Sequence, residues 1–408
     1  MKILFISDNF YPEKNAPAIR TYEHCLNWLN MGHEVTVLTS NPNFPKGEIY
    51  NGYKNKIFQK ELIGKVKVIR VWTFMSKNEG FFFRTLDYIS FALGAIFGSI
   101  FIKKPDVIIG TSPQFFTVIS TCFISYIKKT PWVFELRDLW PDSIAALEVM
   151  SKKDISFKIL KKIEIFLYKS ARCIIPVTHS FKRYLENLNI DKNKIQVITN
   201  GINLDIIFPI EKDHSLIKHY DLAGKLVLGY IGTHGLAHDL ETILIVVKNL
   251  NDRGYKNKIL FFFIGEGSEK KKLISFKNDK NLDNVFFIDN LDRNELKKYW
   301  SILDISLIHL KKIDLFKDVI PSKFFESMGM NIPILLGVDG EARKLLQKYD
   351  IGEYFEPQNI TNLYDQILKF FNNRNLLKLY KKNAKLNSHY YDRTLLSSKM
   401  ISFIEKKI

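Results

Sequence analysis

The chain has 408 residues, of which 46% are hydrophobic and 25% are charged, and this balance predicts a globular protein of two large domains. It excludes a disordered or fibrous chain. The three cysteines include no CxxC pair, which excludes a disulfide scaffold or a zinc ribbon and fits the reducing cytosol. The 60 lysines and arginines against 43 acidic residues give a net charge of +17, which predicts an anionic partner: nucleic acid, acidic lipid or a phosphorylated substrate.

Buried-strand runs alternate with helical stretches along the first half of the chain. A short apolar run follows Lys2 and is typical of a buried strand rather than of a secretory signal, so we expect a cytoplasmic protein. A helix is predicted over 20–31, because Gly32 supplies a usual stop signal. The predicted strands cover residues 2–7, 33–40, 66–74, 107–112, 132–138, 173–178 and 194–201.

One uncharged stretch, residues 88–102, stands out for its hydropathy and is followed by two lysines. A spanning helix needs about 20 apolar residues, so this stretch of 15 is too short to predict a membrane span. Residues 151–169 place lysines on one helical face and apolar side chains on another, as helices at an anionic lipid surface do. Packing of both helices on their own sheet is the alternative.

The second half repeats the pattern of strand, glycine and helix. Its predicted strand units cover 226–235, 258–267, 284–290, 305–310 and 332–337. Strands separated by helices predict parallel sheets, so the expected fold class is α/β, with two doubly wound domains facing a central cleft. We expect an N-terminal domain over 1–205, a C-terminal domain over 206–385, and a last helix within 386–408 that crosses back to the first domain.

The segment from Asp318 to Glu326 holds the sharpest candidate site. Pro321 and Ser322 predict a helix start, where free N–H groups and a partial positive charge favour phosphate. Lys323 adds a full charge at the same end, and Glu326 lies one turn further on, spaced to accept hydrogen bonds from a ribose. The alternative is an ordinary helix with a solvated lysine and glutamate.

Two glycine-bearing loops follow strands of the second half. In 229–242 a strand ends at Gly232, and His234 or His238 could donate a hydrogen bond or a charge to a pyrophosphate. The segment 263–273 places Gly265 and Gly267 where a nucleotide base would rest on bare backbone. It lacks GxGxxG, which weakens the prediction of a dehydrogenase. Histidines satisfied within an ordinary turn are the alternative.

The first half offers candidates at two strand ends. Arg137 and Asp138 follow the strand at 132–138 and would project into the cleft, unless they form only a structural ion pair. The loop 9–20 is long for a strand-to-helix connection and ends in Arg20, and long loops over a scaffold often bind ligands. No cluster of His, Cys or Asp shows metal-ligand spacing, so no metal is expected.

Together these motifs resemble a family-four glycosyltransferase, and the resemblance covers nearly the whole chain. The family's paired carboxylates correspond to Asp318 and Glu326, where its first position is usually Glu. Its His-Asp-x-x-Pro segment appears as Arg137-Asp138-Leu-Trp-Pro141, and its donor-phosphate Arg and Lys fall near His234 and His238. The order of motifs resembles a branch of O-antigen, capsule and colanic acid transferases that includes N-acetyl-L-fucosamine transferases.

The resemblance implies the GT-B fold and a retaining transfer without metal or other cofactor. The residues that the resemblance assigns to donor binding are Gly232, His234, Gly265, Gly267, Ser322, Lys323 and Glu326. Asp138, Asp318, Glu326 and Lys323 are then the candidate catalytic residues, and Arg20 and Arg137 lie on the acceptor or sugar side. The expected donor is a nucleoside-diphosphate sugar, with UDP as the nucleotide and N-acetyl-L-fucosamine or another N-acetylated deoxyhexose as the sugar.

The expected acceptor is a polyprenyl-diphosphate-linked sugar, so the resemblance also implies a cytoplasmic protein held peripherally at the anionic surface of the inner membrane. A sugar-nucleotide 2-epimerase on the same fold is the first alternative and needs no membrane. The second is a nucleic-acid-binding protein, which only the charge of +17 suggests. The chain lacks a recognisable nucleic-acid-binding module, so no nucleic acid is expected as a partner.

Overall fold

A computed structural model describes residues 1–44, 46–75, 81–146 and 150–408, and of residues 81, 82 and 146 it describes the backbone only. The chain forms two compact units. The first unit comprises Met1–Thr199 together with Arg393–Ile408, and the second comprises Asn200–Asp392. In the part of the chain that the structure describes, no helix is both long enough and apolar enough to cross a membrane.

Strands and helices alternate through the first unit. Its elements are β1 Lys2–Ile6, α1 Ala16–Asn30, β2 Glu34–Ser40, β3 Phe58–Ile63, β4 Val66–Val71, α2 Phe81–Ser99, β5 Val107–Thr111, α3 Phe115–Lys128, β6 Trp132–Leu136, α4 Asp142–Ala146, α5 Ile155–Ser170, β7 Cys173–Pro176 and α6 His179–Asn187.

The first unit is built on a seven-stranded sheet of order β3-β4-β2-β1-β5-β6-β7. All neighbours are parallel except β3, which pairs antiparallel with β4 at the edge. The strand order reverses direction between β1 and β5, and right-handed crossovers therefore place helices on both faces. Phe5 and Val37 pack with Trp28 of α1 in a buried core on one face, while α2 packs on β2 and β4, and α3 on β5 and β6.

The second unit repeats this plan with parallel strands alone. Its elements are α7 His214–His219, β8 Leu226–Ile231, α8 Leu240–Asp252, β9 Ile259–Ile264, α9 Lys270–Asp279, β10 Val285–Ile288, α10 Arg293–Ile302, β11 Ile305–His309, α11 Ser322–Gly329, β12 Ile334–Gly337, α12 Glu341–Tyr349, β13 Gly352–Tyr354, α13 Ile360–Asn372 and α14 Asn375–Asn387.

The six strands of the second unit run in the order β10-β9-β8-β11-β12-β13. β8, β9 and β11 are buried along their whole length, because helices cover both faces of a parallel sheet. β8 lies between β9 and β11 near the middle of the sheet, so the loops after these three strands emerge side by side at its carboxyl edge. The last helix, α15 Arg393–Glu405, packs against α1 in the first unit.

The structure corrects two of the predicted elements and adds two short strands. α1 begins at Ala16 rather than at residue 20, because the Asn15 side chain accepts a hydrogen bond of 2.9 Å from the Ala18 N–H and caps the helix there. The strand predicted over 194–201 is reduced to an isolated bridge between Ile195 and Ile174, beside which the N–H groups of Gln196 and Ile198 donate to the carbonyls of Ile174 and Pro176 over 3.1 and 3.0 Å. The short strands β3 and β13 lie at sheet edges and were not predicted, since their side chains are only partly buried and carry little hydrophobic pattern.

Candidate functional site

The Lys323 side chain lies across the bare backbone of Gly232, just past the end of β8. A β-carbon on residue 232 would lie 2.8 Å from the Lys323 Nζ and closer still to its Cε, and the φ angle of +140° also favours glycine. The ammonium is 4.6 Å from the centre of the Tyr230 ring. Burial lowers the pKa of Lys323 to about 8, although the charge of Glu326 opposes this shift. The second unit thus holds a desolvated cation at the end of a central strand.

Gly265 and Gly267 bring the loop after β9 against the loop after β8. A β-carbon on Gly265 would overlap the carbonyl oxygen of Gly232, and one on Gly267 would overlap the backbone of His234. The Gly232 N–H donates to Ile264 and the His234 N–H donates to Glu266, each over 2.8 Å. Two backbones can approach this closely only where side chains are missing, so the glycines fix one loop upon the other.

His234 is fully buried in this double loop, and no described residue hydrogen-bonds to either nitrogen of its ring. The ring lies beside aromatic side chains, with its centre 5.8 Å from that of Tyr230 and 5.9 Å from that of Phe287. Burial and the charges of Lys270 and Lys323 lower the pKa of His234 to about 4. A neutral buried imidazole without a partner is costly, so a ligand that hydrogen-bonds to either ring nitrogen would stabilise this loop.

His309, at the end of β11, holds the far side of the same loop and was not singled out in the sequence. Its Nδ1 lies 3.0 Å from the carbonyl oxygen of His238 and 3.2 Å from that of Asp239, while its Nε2 accepts a hydrogen bond of 3.1 Å from the Gln358 N–H. These partners require a neutral ring with its proton on Nδ1. The one signal in the sequence is that His309 ends a predicted buried strand, where residues at the carboxyl edge of a parallel sheet often contact ligands.

His238 faces the same surroundings. Its Nδ1 is buried without a hydrogen-bond partner among the described residues, and burial together with the charge of Lys323 lowers the pKa of His238 to about 3. Both histidines that the sequence singled out are therefore neutral at pH 7. Neither supplies the fixed positive charge that an arginine or a lysine would.

α11 positions Ser322, Lys323 and Glu326. Pro321 occupies the N-cap position and Ser322 is the first helical residue, and no side chain caps the start of the helix. Lys323 and Glu326 lie one turn apart, close enough for their charges to interact. Asp318 ends a short 3₁₀ helix over Asp314–Asp318 and is half-buried.

In the first unit, Arg137 and Asp138 directly follow β6. Both of their N–H groups donate to the Ser112 hydroxyl, over 2.8 and 3.2 Å. Burial raises the pKa of Asp138 to about 6 against an opposing hydrogen bond from Ser143. Burial and the charge of Arg20 lower the pKa of Arg137 to about 9. The end of β6 therefore carries two partly buried groups of opposite charge.

Arg20 lies inside the first unit. Its guanidinium Nη2 forms an ion pair of 2.8 Å with Glu135 of β6, and its Nη1 donates to the Thr199 carbonyl over 3.2 Å. Both side chains of the ion pair are almost completely buried. The contact ties α1 to the sheet and gives Arg20 a structural role within the first unit.

Glu13, in the long loop after β1, is a buried acid that no sequence pattern marks. Its Oε1 accepts hydrogen bonds of 2.9 Å from the N–H groups of Asn43 and Phe44, whereas its Oε2 is buried without a partner among the described residues. Burial raises the pKa of Glu13 to about 7, and the charge of Asp8 adds to this shift. The loop that was predicted to bind thus contains a carboxyl group poised near neutrality.

Two family models match the chain, one to each half. Residues 18–206 match Glycosyltransferase Family 4, and residues 217–387 match Glycosyl transferases group 1. Both are models of glycosyltransferases and give no support to the epimerase alternative.

The chain is similar to two curated bacterial proteins and to a solved structure. It is 24% identical to the putative colanic acid biosynthesis glycosyl transferase WcaI of Escherichia coli (strain K12) over 97% of this chain and 96% of that protein. The probable glycosyltransferase WbjE of Pseudomonas aeruginosa is 22% identical over 65% of this chain and 66% of its own length. Anabaena HepE, solved in complex with UDP-glucose, shares the fold with a TM-score of 0.73 at 13% identity, over all of both chains.

Proposed function

We propose that this chain, a glycosyltransferase with the GT-B fold, transfers a sugar from a UDP-linked donor to a polyprenyl-diphosphate-linked sugar during surface polysaccharide biosynthesis. The observation that carries the proposal is the imidazole of His234, buried with no hydrogen-bond partner among the described residues, beside the desolvated ammonium of Lys323. The printed role of WcaI in colanic acid biosynthesis supports the pathway class, and the UDP-glucose in HepE supports the nucleotide.

The second unit would neutralise the leaving diphosphate. Negative charge grows on the departing phosphate as the bond from C1 of the sugar to oxygen breaks, and fixed donors at that place lower the barrier. Lys323 offers a cation, the start of α11 offers free N–H groups, and His234 offers a ring N–H. These protein groups support a transfer that needs no metal. Retention of configuration is part of the proposal and rests on the resemblance to family-four enzymes.

The remaining donor contacts follow from the same loops. Glu326 would accept hydrogen bonds from the ribose, and Asp318 would orient hydroxyls of the sugar. The backbone at Gly265 and Gly267 would support the base, because glycine leaves the peptide surface uncovered. N-acetyl-L-fucosamine or another N-acetylated deoxyhexose is our candidate for the transferred sugar, a choice that rests on the resemblance alone.

The first unit would provide the acceptor side. Asp138 and Arg137 at the end of β6 are its polar candidates, together with Arg20, which pairs with Glu135 of the same strand. A lipid-linked acceptor places the reaction at the cytoplasmic face of the inner membrane. We therefore propose a protein that is peripherally associated with that surface.

A thermal-shift panel tests the donor site. It compares UDP, GDP and dTDP, each as the free nucleoside diphosphate and as the corresponding nucleotide sugar. We expect the melting temperature to rise most with UDP, and the rise to be lost in Lys323→Met while Lys381→Met, which changes an exposed lysine of α14, retains it. Transfer to a synthetic polyprenyl-diphosphate sugar then tests the reaction. Equal stabilisation of both variants by UDP would show that Lys323 does not bind the diphosphate. Product formation without any nucleotide sugar would exclude the proposed donor class.

A further inference from the structure

Helix α2 carries apolar side chains on its outer face as well as on its inner one. Spacings of three and four residues put the outer set on one side of the helix, whereas a surface helix ordinarily presents polar residues there. Leu93, in the middle of this set, is 63% exposed. The exposed set consists of Phe83, Leu86, Ile89, Leu93 and Phe97.

The inner face of α2 is fully occupied, so the outer side chains cannot turn inward. A β-carbon on Gly94 would lie 2.8 Å from the carbonyl oxygen of Trp72, and one on Gly98 would lie 2.6 Å from Cγ1 of Val71. The helix therefore rests directly on β4 through two glycines one turn apart. Any rotation about its axis would drive larger side chains into that strand.

Helices α3 and α5 continue the exposed apolar surface, because α2 packs on α3 and α3 packs on α5. Tyr126 of α3 is 84% exposed and Ile155 of α5 is 76% exposed. The further exposed apolar side chains on these two helices are Phe123, Ile127, Ile159 and Phe166. We call this outer face of α2, α3 and α5, with the lysines described next, the three-helix face.

Lysines border the three-helix face without acidic partners. Each of them is exposed, and within the described part of the chain none lies within salt-bridge distance of a carboxylate: Lys103, Lys104, Lys129, Lys158, Lys162 and Lys169. The glutamate of α5, Glu164, is instead buried beneath the helix, where it accepts a hydrogen bond of 2.7 Å from Tyr168. The surface thus combines apolar side chains with uncompensated positive charge.

We infer that the three-helix face docks on a bilayer containing anionic phospholipid. Apolar side chains enter the boundary between headgroups and acyl chains, while lysines bind the phosphates above it. A second copy of this chain fits less well, since two such faces would bring like charges together. The inference deepens the proposed function and takes its purpose from the lipid-linked acceptor, but the surface itself stands on exposure and charge.

Sedimentation with vesicles tests the inference on the whole protein. We expect binding to vesicles of phosphatidylcholine with phosphatidylglycerol, weak binding to phosphatidylcholine alone, and release at high salt. The double variant Leu93→Glu/Tyr126→Glu and the double variant Lys158→Glu/Lys162→Glu should each bind anionic vesicles at least about tenfold more weakly. Matched changes on α14 of the second unit, Leu386→Glu and Lys381→Glu/Lys382→Glu, should leave binding unchanged.

Stabilisation by UDP, measured on the same variants, separates the two proposals. If the wild-type protein binds UDP and stays in the supernatant with anionic vesicles, the docking surface is wrong and the donor site stands. If vesicles bind the protein through these residues and UDP has no effect, the donor site is wrong and the surface stands. Equal loss of vesicle binding in the α14 controls would overturn the assignment to this face. The assignment would also fail if the wild-type protein were a dimer that Leu93→Glu dissociates and did not bind vesicles.

Discussion

Lys323 occupies the space that a side chain on residue 232 would need. The contact joins the second residue of α11 to the first residue after β8, 91 positions apart in the chain, and it leaves the ammonium at the carboxyl edge of the sheet. Gly232→Ala should therefore displace Lys323 and also strain a backbone with a φ of +140°.

We expect Gly232→Ala to weaken UDP binding about as strongly as Lys323→Met does, by roughly tenfold or more, since both remove one charge-assisted contact. The double variant should be little worse than either single variant, because the two changes remove the same contact. Isothermal titration with UDP measures this coupling. Gly254 lies in the turn after α8 with a φ of +82°, and a β-carbon there would meet no other atom within 4 Å. Gly254→Ala therefore controls for backbone strain alone. Strictly additive losses would contradict the prediction.

The pH dependence of UDP binding should report Lys323. The pKa of this lysine is about 8 in the free protein, so its ammonium loses its proton as the pH rises through that value. A bound diphosphate favours the charged form, and affinity should therefore fall about tenfold between pH 7 and pH 9. Lys323→Arg keeps its charge over this range and should lose the dependence, even if it binds more weakly throughout. A dependence of the same size in that variant would point to another group.

His309 should act as a positioning residue for the loop that carries His234. His309→Phe removes both ring contacts, to the carbonyls of His238 and Asp239 and to the Gln358 N–H, while keeping an aromatic ring over Phe355. We expect the KM for the donor to rise by about tenfold with a smaller change in kcat, because substrate binding relies on the loop. His309→Asn, which retains a side-chain donor, should recover part of the affinity. Proportional loss of activity and of folded protein would indicate a purely structural role.

Glu326 should matter for turnover and little for folding. Glu326→Ala removes a half-buried carboxylate from α11, and we expect a loss of about 100-fold in kcat/KM with a melting temperature within a few degrees of wild type. Glu326→Gln should retain some activity, since an amide oxygen still accepts a hydrogen bond from a ribose hydroxyl. Glu295→Ala, at an exposed position on α10, is the matched control. Wild-type activity in Glu326→Ala would remove the residue from the site.

Glu13 should make the first unit less stable as the pH rises. Its pKa is about 7 in the folded protein against an ordinary value of 4.5, so the folded state binds the extra proton between these pH values. The contribution of the neutral Glu13 carboxyl to the free energy of unfolding is complete below pH 4.5 and is lost as the pH rises through 7. The stability of Glu13→Gln relative to wild type should accordingly increase from pH 4.5 to pH 8, by at most about 3 kcal/mol.

Urea unfolding at the two pH values measures this difference. Glu34→Gln, at an exposed position on β2, should show no such change relative to wild type. A Glu13→Gln curve that runs parallel to wild type over this range would show that the carboxyl is already charged when buried.

Local signals explain why much of the fold was predictable. The buried runs that became β8, β9 and β11 are recognisable because each is largely apolar and is followed by a loop, and the start of α11 follows from Pro321 and Ser322. The start of α1 was placed too late because the polar loop ahead of it conceals the Asn15 cap. Residues 194–201 have strand-like composition, and the N–H groups of Gln196 and Ile198 do donate to carbonyls of β7, yet the pairing reaches only an isolated bridge and not a full strand.

By itself, the sequence determined the two α/β halves, the glycine loops and the helix that bears Lys323 and Glu326, because periodicity, caps and glycines act between near neighbours in the chain. Only the tertiary structure decided which side chains meet. Strand order brought Arg20 to Glu135 as a buried ion pair, set His309 beneath the loop of His234, and laid Lys323 over Gly232. Such contacts depend on the register and order of strands, and these are settled by packing across the whole sheet rather than by any local stretch of residues.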